Sequence, residues 1–111
     1  MKPSLYAKYL KEREGFEVLE DGLGFATYKI VGEECYIRDI YVDSDFRKDG
    51  VASGYCDQIS MIAKEAGCKN LTTTAYTRAF GSTTSTEVII RYGFRILSTD
   101  GEKIIFIKEI Q

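Results

Sequence analysis

The stretch Ile40-Tyr41-Val42-Asp43-Ser44-Asp45-Phe46-Arg47-Lys48-Asp49-Gly50-Val51-Ala52-Ser53 decides the fold. Its first residues close a β-branched and aromatic run that begins at Cys35 and reads as a strand. Asp43 to Gly50 is polar and reads as a loop. From Val51 the apolar positions Val51, Tyr55, Ile59, Ile62 and Ala66 recur at helical spacing, with Cys56 and Ala63 beside them, so a helix runs to about Ala66. A helix start leaves its first backbone N–H groups without internal partners, and the helix dipole adds partial positive charge there. Such a start suits a phosphate. Gly50 brings the backbone to a ligand without a Cβ, Ala52 keeps the next turn small, and Arg47 and Lys48 add charge nearby. The amides from Lys48 to Ser53 are therefore the expected anion site.

Working outward, Pro3 to Glu14 carries Leu5, Tyr6, Tyr9 and Leu10 at helical spacing and ends at Gly15, a helix. Phe16 to Glu20 and Phe25 to Val31 are strands around the turn Gly22-Leu23-Gly24, and Gly32-Glu33-Glu34 turns into the third. Leu71 to Tyr76 is a fourth strand and Thr77 to Gly81 a loop. Ser82 to Tyr92 is a helix stopped by Gly93. Phe94 to Leu97 and Lys103 to Ile110 form a last hairpin around Asp100-Gly101. The order α-β-β-β-α-β-α-β-β predicts an α/β (mixed α+β) fold with a central, mostly antiparallel twisted sheet flanked by helices. The 111 residues suit a single domain spanning 1–111.

Composition narrows the chemistry. A net charge of −2 and no long basic run argue against a nucleic-acid partner held by counterion release. No apolar stretch is long enough to span a bilayer, and the N-terminus lacks the apolar core of a signal peptide. Cys35, Cys56 and Cys68 are odd in number and lack metal-ligand spacing, so they read as reduced thiols, a cytoplasmic location and no metal site. Histidine is absent, which removes a Ser-His-Asp or Cys-His arrangement; a base must be a carboxylate, a tyrosine, a lysine, a cysteine or water.

The run Ile40 to Ala52 resembles the central motif of the GNAT N-acetyltransferases: an apolar-x-Val-Asp strand end, an aromatic, then Arg-x-x-Gly-x-Ala. Val88-Ile89-Ile90-Arg91-Tyr92-Gly93-Phe94 resembles that family's helix ending in a Gly-Phe pair, and the likeness covers roughly four-fifths of the chain by element order. It implies transfer of an acetyl group from acetyl-CoA to a primary amine. It also implies that the coenzyme pyrophosphate lies on the amides of Lys48, Asp49, Gly50, Val51, Ala52 and Ser53, near Arg47. The pantetheine arm would pair with the backbone of Ile40, Tyr41 and Val42, where the family's strand splays from its neighbour.

Three departures qualify the likeness. Only one helix precedes the strand meander, so the acceptor wall is reduced and a homodimer is an attractive way to complete it. The position of the family's proton-donating tyrosine holds Ile89, while Tyr92 reads as a packing residue. The family's asparagine aligns near Ser82, which can still hydrogen-bond the coenzyme. With no assured base, Asp39 and Tyr76 are the catalytic candidates, and a water chain is the alternative. A coenzyme-binding module that has lost catalysis is the competing reading, and a nucleic-acid-modifying enzyme of the same fold the third.

Overall fold

The computed structural model describes residues 2–78 and 82–111, the side chains of 82–85 excepted. Helix α1 (Leu5–Glu14) leads into strands β1 (Glu17–Glu20), β2 (Gly24–Val31) and β3 (Glu34–Val42). Helix α2 (Val51–Glu65), strand β4 (Asn70–Tyr76), helix α3 (Ser82–Tyr92) and strands β5 (Arg95–Asp100) and β6 (Lys103–Glu109) follow. The six strands form one mixed sheet in the order β1-β2-β3-β4-β6-β5, antiparallel throughout except for β3 against β4. The expected α/β architecture is therefore present. Of the predicted Thr77–Gly81 loop, residues 79–81 lie outside the described residues.

Local chemistry explains the ends of the elements. The Ser4 hydroxyl caps α1 by accepting the Ala7 N–H at 3.0 Å, and Gly15 closes it at a left-handed φ of 74°. Gly24 is required by close approach: a Cβ there would stand 2.0 Å from the Tyr41 carbonyl oxygen across the β2–β3 ladder. Inside the predicted loop, Ser44–Phe46 forms a single 3-10 turn that the sequence pattern does not announce, capped by the Asp43 carboxylate accepting the Asp45 N–H at 2.9 Å. Asp43 also continues the sheet, its N–H donating to the Leu23 carbonyl at 2.8 Å. The β5 strand starts at Arg95, one residue later than expected, and runs on to Asp100, because its ladder to β6 continues to the turn.

The core lies between the sheet and α2. Ala26, Cys35, Ile37, Tyr55, Ile59, Ala63, Leu71 and Phe106 are buried there. The buried face of α2 is Tyr55, Cys56, Ile59 and Ala63, whereas Ile62 and Ala66 are exposed. The helix is thus rotated from the apolar stripe read in the sequence, because residues four apart at 55, 59 and 63 and the small Cys56 allow closer approach to the sheet. On the opposite face α1 buries only Ala7 and Leu10 and leaves Leu5, Tyr6 and Tyr9 exposed. The expected apolar stripe of α1 is in fact a two-residue contact flanked by open aromatic rings.

One tie joins α2 to the β1–β2 turn. The buried Tyr55 hydroxyl donates to Asp21 Oδ1 at 2.7 Å, and the same carboxylate accepts the Leu23 and Gly24 N–H groups. Burial and the neighbouring Asp21 push the Tyr55 hydroxyl up to about 12. The Tyr55 bond first, then the Leu23 amide, hold the Asp21 carboxyl below its usual 3.8. A carboxyl with a lowered folded pKa stabilises fully above its unfolded value, and loses that contribution as pH falls through the folded one. Asp21→Asn is thus expected to melt below the parent at neutral pH, with the gap closing as pH drops below about 4. Thermal melts from pH 7 to pH 2 check this; a gap independent of pH would contradict it.

Candidate functional site

Strand β3 leaves its parallel partner midway. Its pairs with β4 run from Glu34↔Asn70 to Ile37↔Thr73 and stop there, although β3 continues to Val42 and β4 to Tyr76. Two features meet at that point. On the β4 side, the buried Thr73 hydroxyl donates to the Ile37 carbonyl at 2.8 Å and clasps the last pair. On the β2 side, the ladder jumps from Tyr28↔Ile37 to Thr27↔Asp39, which makes Arg38 a bulge. A bulge bends its strand and disrupts the alternation of its side chains. The Asp39 N–H donates to Thr27 Oγ1 at 3.0 Å, and that hydroxyl donates back to Asp39 Oδ2 at 2.9 Å. Thr27 is fully buried, so this reciprocal pair of bonds from β2 to the bulge of β3 is shielded from water.

The splay opens a shallow cleft that is open to solvent. Ile37, Ile40 and Thr73 form its sheet side, Ser53 and Cys56 its α2 side, and Val88, Ile89, Tyr92 and Phe94 its far wall. Asp43 and its bond to Leu23 set the phase of the β2–β3 ladder. Tyr41 turns its N–H and C=O toward β2, while those of Ile40 and Val42 face the open side. The Val42 carbonyl, on that side, accepts from Arg47 Nε at 2.9 Å. Arg47 also lies over the Tyr41 ring at 5.6 Å, folded back on the strand.

The start of α2 borders this cleft through Ser53. Gly50 is its N-cap, at φ 80°, with no side-chain cap. The first helical bond is Gly54 N–H to the Gly50 carbonyl at 3.0 Å. Among the described residues, the N–H groups from Lys48 to Ser53 donate to no protein acceptor. All six residues are exposed or half-buried, and the space where a Gly50 Cβ would stand is clear to 4 Å. Lys48 adopts a left-handed φ of 70°, a conformation costing a non-glycine residue about 1–2 kcal/mol. Unpaired, exposed donors at a strained helix entrance fit a phosphate group.

The remaining expected residues fall as follows. Asp39 and Tyr76 do not line the cleft. Ser82 begins α3, but its side chain lies outside the described residues. Ile89 lines the cleft. Tyr92 lines it as well and is more than a packing residue: its hydroxyl donates to Asp57 Oδ1 at 2.6 Å. Burial, with Asp57, pushes that hydroxyl up to about 12. Helical phase had hidden this role, because Asp57 is brought to Tyr92 only by the packing of α2 against α3. The three cysteines are buried and unpaired. Burial raises all of their thiols, Cys35 to about 12 and Cys56 to about 11, which keeps them protonated and unsuited to act as nucleophiles. Among the described residues no cluster of three metal-ligating side chains occurs.

Solved structures share this architecture. The PaiA N-acetyltransferase of Thermoplasma acidophilum, in complex with coenzyme A, superposes with a TM-score of 0.72 at 17% identity, over 78% of this chain and 53% of that one. This chain thus spans about half the length of that protein. Ard1 of Thermoplasma volcanium gives 0.71 at 20% identity, over 96% of this chain and 78% of that one. The anti-CRISPR protein AcrVA5 gives 0.67 at 20% identity, over 81% of this chain and 96% of that one. No curated protein matches the sequence. The family model for the acetyltransferase (GNAT) family matches residues 2–89, so the chain belongs to that family.

Proposed function

We propose that the chain is an N-acetyltransferase that moves an acetyl group from acetyl-CoA to a primary amine. The observation that carries this reading is the row of unpartnered N–H groups from Lys48 to Ser53 beside the cleft between β3 and β4. Those amides would hold the coenzyme diphosphate, with the α2 dipole adding to their pull. The outward edge of Ile40 and Val42 would pair with the amides of the pantetheine arm, as an added strand pairs with an open edge. The bound thioester supplies an activated acetyl group. Fixed N–H donors on the β3 edge are suited to polarise its carbonyl, and holding an amine beside it removes the entropy cost of encounter. Asp39, on β3, is the favoured acceptor for the proton that the amine must lose, with Tyr76 or water as alternatives.

A second reading keeps the binding and drops the chemistry. Ile89 lines the cleft where a proton donor would serve the departing thiol, and isoleucine has no proton to give. Calorimetry with coenzyme A, followed by thiol release from acetyl-CoA over a panel of amines, separates the two. Micromolar binding with amine-dependent thiol release supports acetyl transfer. Binding without release on any amine supports the module that has lost catalysis. No binding at all would sink both.

A further inference from the structure

The open edge of β3 is already covered by a side chain of this protein. Val42 is the last residue of the strand, and its carbonyl is the outermost acceptor on the side turned away from β2. Arg47 Nε donates to that carbonyl at 2.9 Å. The Arg47 guanidinium carbon then lies 5.6 Å from the centre of the Tyr41 ring. Ile40 faces the cleft, so strand alternation turns Tyr41 to the opposite face of the sheet. The Arg47 side chain therefore leaves the loop before α2, crosses the strand edge at Val42 and ends over a ring on the far face. Phe25 stacks on that ring, 5.7 Å between centroids, and holds it in place.

In this position the charge of Arg47 is unmatched. Among the described residues it forms no ion pair, and its two Nη groups donate to no acceptor. A guanidinium bonds a phosphate in a fork and more strongly than it bonds a neutral carbonyl. The row of unpartnered amides proposed to hold a diphosphate begins at the very next residue, Lys48. The side chain thus has two alternative positions. Folded over the edge, it covers the Val42 carbonyl that a pantetheine amide would use. Turned toward the helix start, it leaves that carbonyl free.

We infer that Arg47 decides which thioesters the site takes: it covers the pantetheine edge of β3 in the free chain and is drawn off by a diphosphate, so that coenzyme A thioesters are accepted and thioesters of pantetheine alone are disfavoured. The inference rests on the reading of this cleft as the coenzyme site and specifies how the donor is selected. A ligand that binds the edge alone must displace Arg47 without giving it a new partner. A ligand that carries a diphosphate gives the guanidinium a stronger one. The two halves of coenzyme A therefore bind with positive coupling, each favouring the position of Arg47 that the other needs.

The test titrates the parent chain, Arg47→Met and Tyr41→Leu with coenzyme A, with pantetheine and with inorganic diphosphate, followed by amide NMR shifts. In the parent chain, saturating diphosphate should tighten pantetheine binding about tenfold, the strength of one hydrogen bond from a charged donor. Arg47→Met is of similar length and uncharged. It should bind pantetheine about tenfold more tightly than the parent, show no coupling to diphosphate, and bind coenzyme A severalfold more weakly because the charge is gone. Tyr41→Leu removes the ring beneath the guanidinium and keeps the charge, so pantetheine and coenzyme A should both bind about threefold more tightly. Unchanged or weaker pantetheine binding in either variant, or pantetheine binding by the parent that is indifferent to diphosphate, would overturn the inference. Failure of the parent chain to bind coenzyme A would instead remove the coenzyme-site reading beneath it.

Discussion

Ser53→Glu is expected to melt higher than the parent chain and yet to bind coenzyme A about a hundredfold more weakly. Ser53 is the third helical residue after the Gly50 N-cap, and it is exposed. A glutamate at that position reaches back to the N-cap amide and meets the positive end of the helix. α2 has no acidic residue in its first turn and no side-chain cap, so nothing already supplies that stabilisation. The expected gain is about 0.5–1 kcal/mol. The same carboxylate would sit where a diphosphate is proposed to bind. Two like charges about 4 Å apart cost roughly 1–4 kcal/mol at a protein surface, and the carboxylate also consumes the donors. Stability and affinity should therefore move in opposite directions. Melting and calorimetry on one preparation read both. If affinity is unchanged while the melting point rises, the helix start is not the anion site. Ser53→Gln separates the charge from the bulk: it should cost far less affinity.

The helix start and the splay differ in how far the sequence declares them. The helix start is local. Gly50, the apolar period from Val51 and the polar loop lie within about two dozen consecutive residues, and backbone geometry then requires free amides. The splay depends on residues far apart in the chain. Thr27 and Asp39 are separated by 12 positions, Ile37 and Thr73 by 36, and nothing in the identity of a threonine says that its hydroxyl will replace a strand partner. The apolar stripe of α1 misled for the related reason that periodicity reports which residues share a face, whereas burial depends on what covers that face. Over Tyr6 and Tyr9 little does. In the sequence Tyr92 reads as packing, because its partner Asp57 lies on another helix. Legibility falls off with the sequence separation of the groups that make each feature.

Thr27 is where that long-range layer can be tested. Thr27→Val is close to isosteric and removes a hydroxyl that both accepts the Asp39 N–H and donates to the Asp39 carboxylate. The site is fully buried, so water does not replace what is lost, and an unpaired amide there costs about 1–3 kcal/mol. Two outcomes are physically distinct. If the hydroxyl pins the bulge, the strained ladder relaxes, Arg38 is no longer forced out of register, and β3 regains pairing with β4 beyond Ile37. The cleft then narrows, and coenzyme A affinity falls about tenfold along with stability. If packing around Ile37 and the Thr73 clasp hold the bulge unaided, stability falls by the same amount and affinity does not change. Thr27→Ser keeps the hydroxyl and loses one methyl, which costs about 1 kcal/mol of stability through burial. It should keep coenzyme A affinity within about twofold of the parent on the first account, because a preserved hydrogen-bond pair leaves the binding edge in place. We expect the first outcome, since the jump in register falls beside the last β3–β4 pair, and a strand bent there cannot follow its neighbour further.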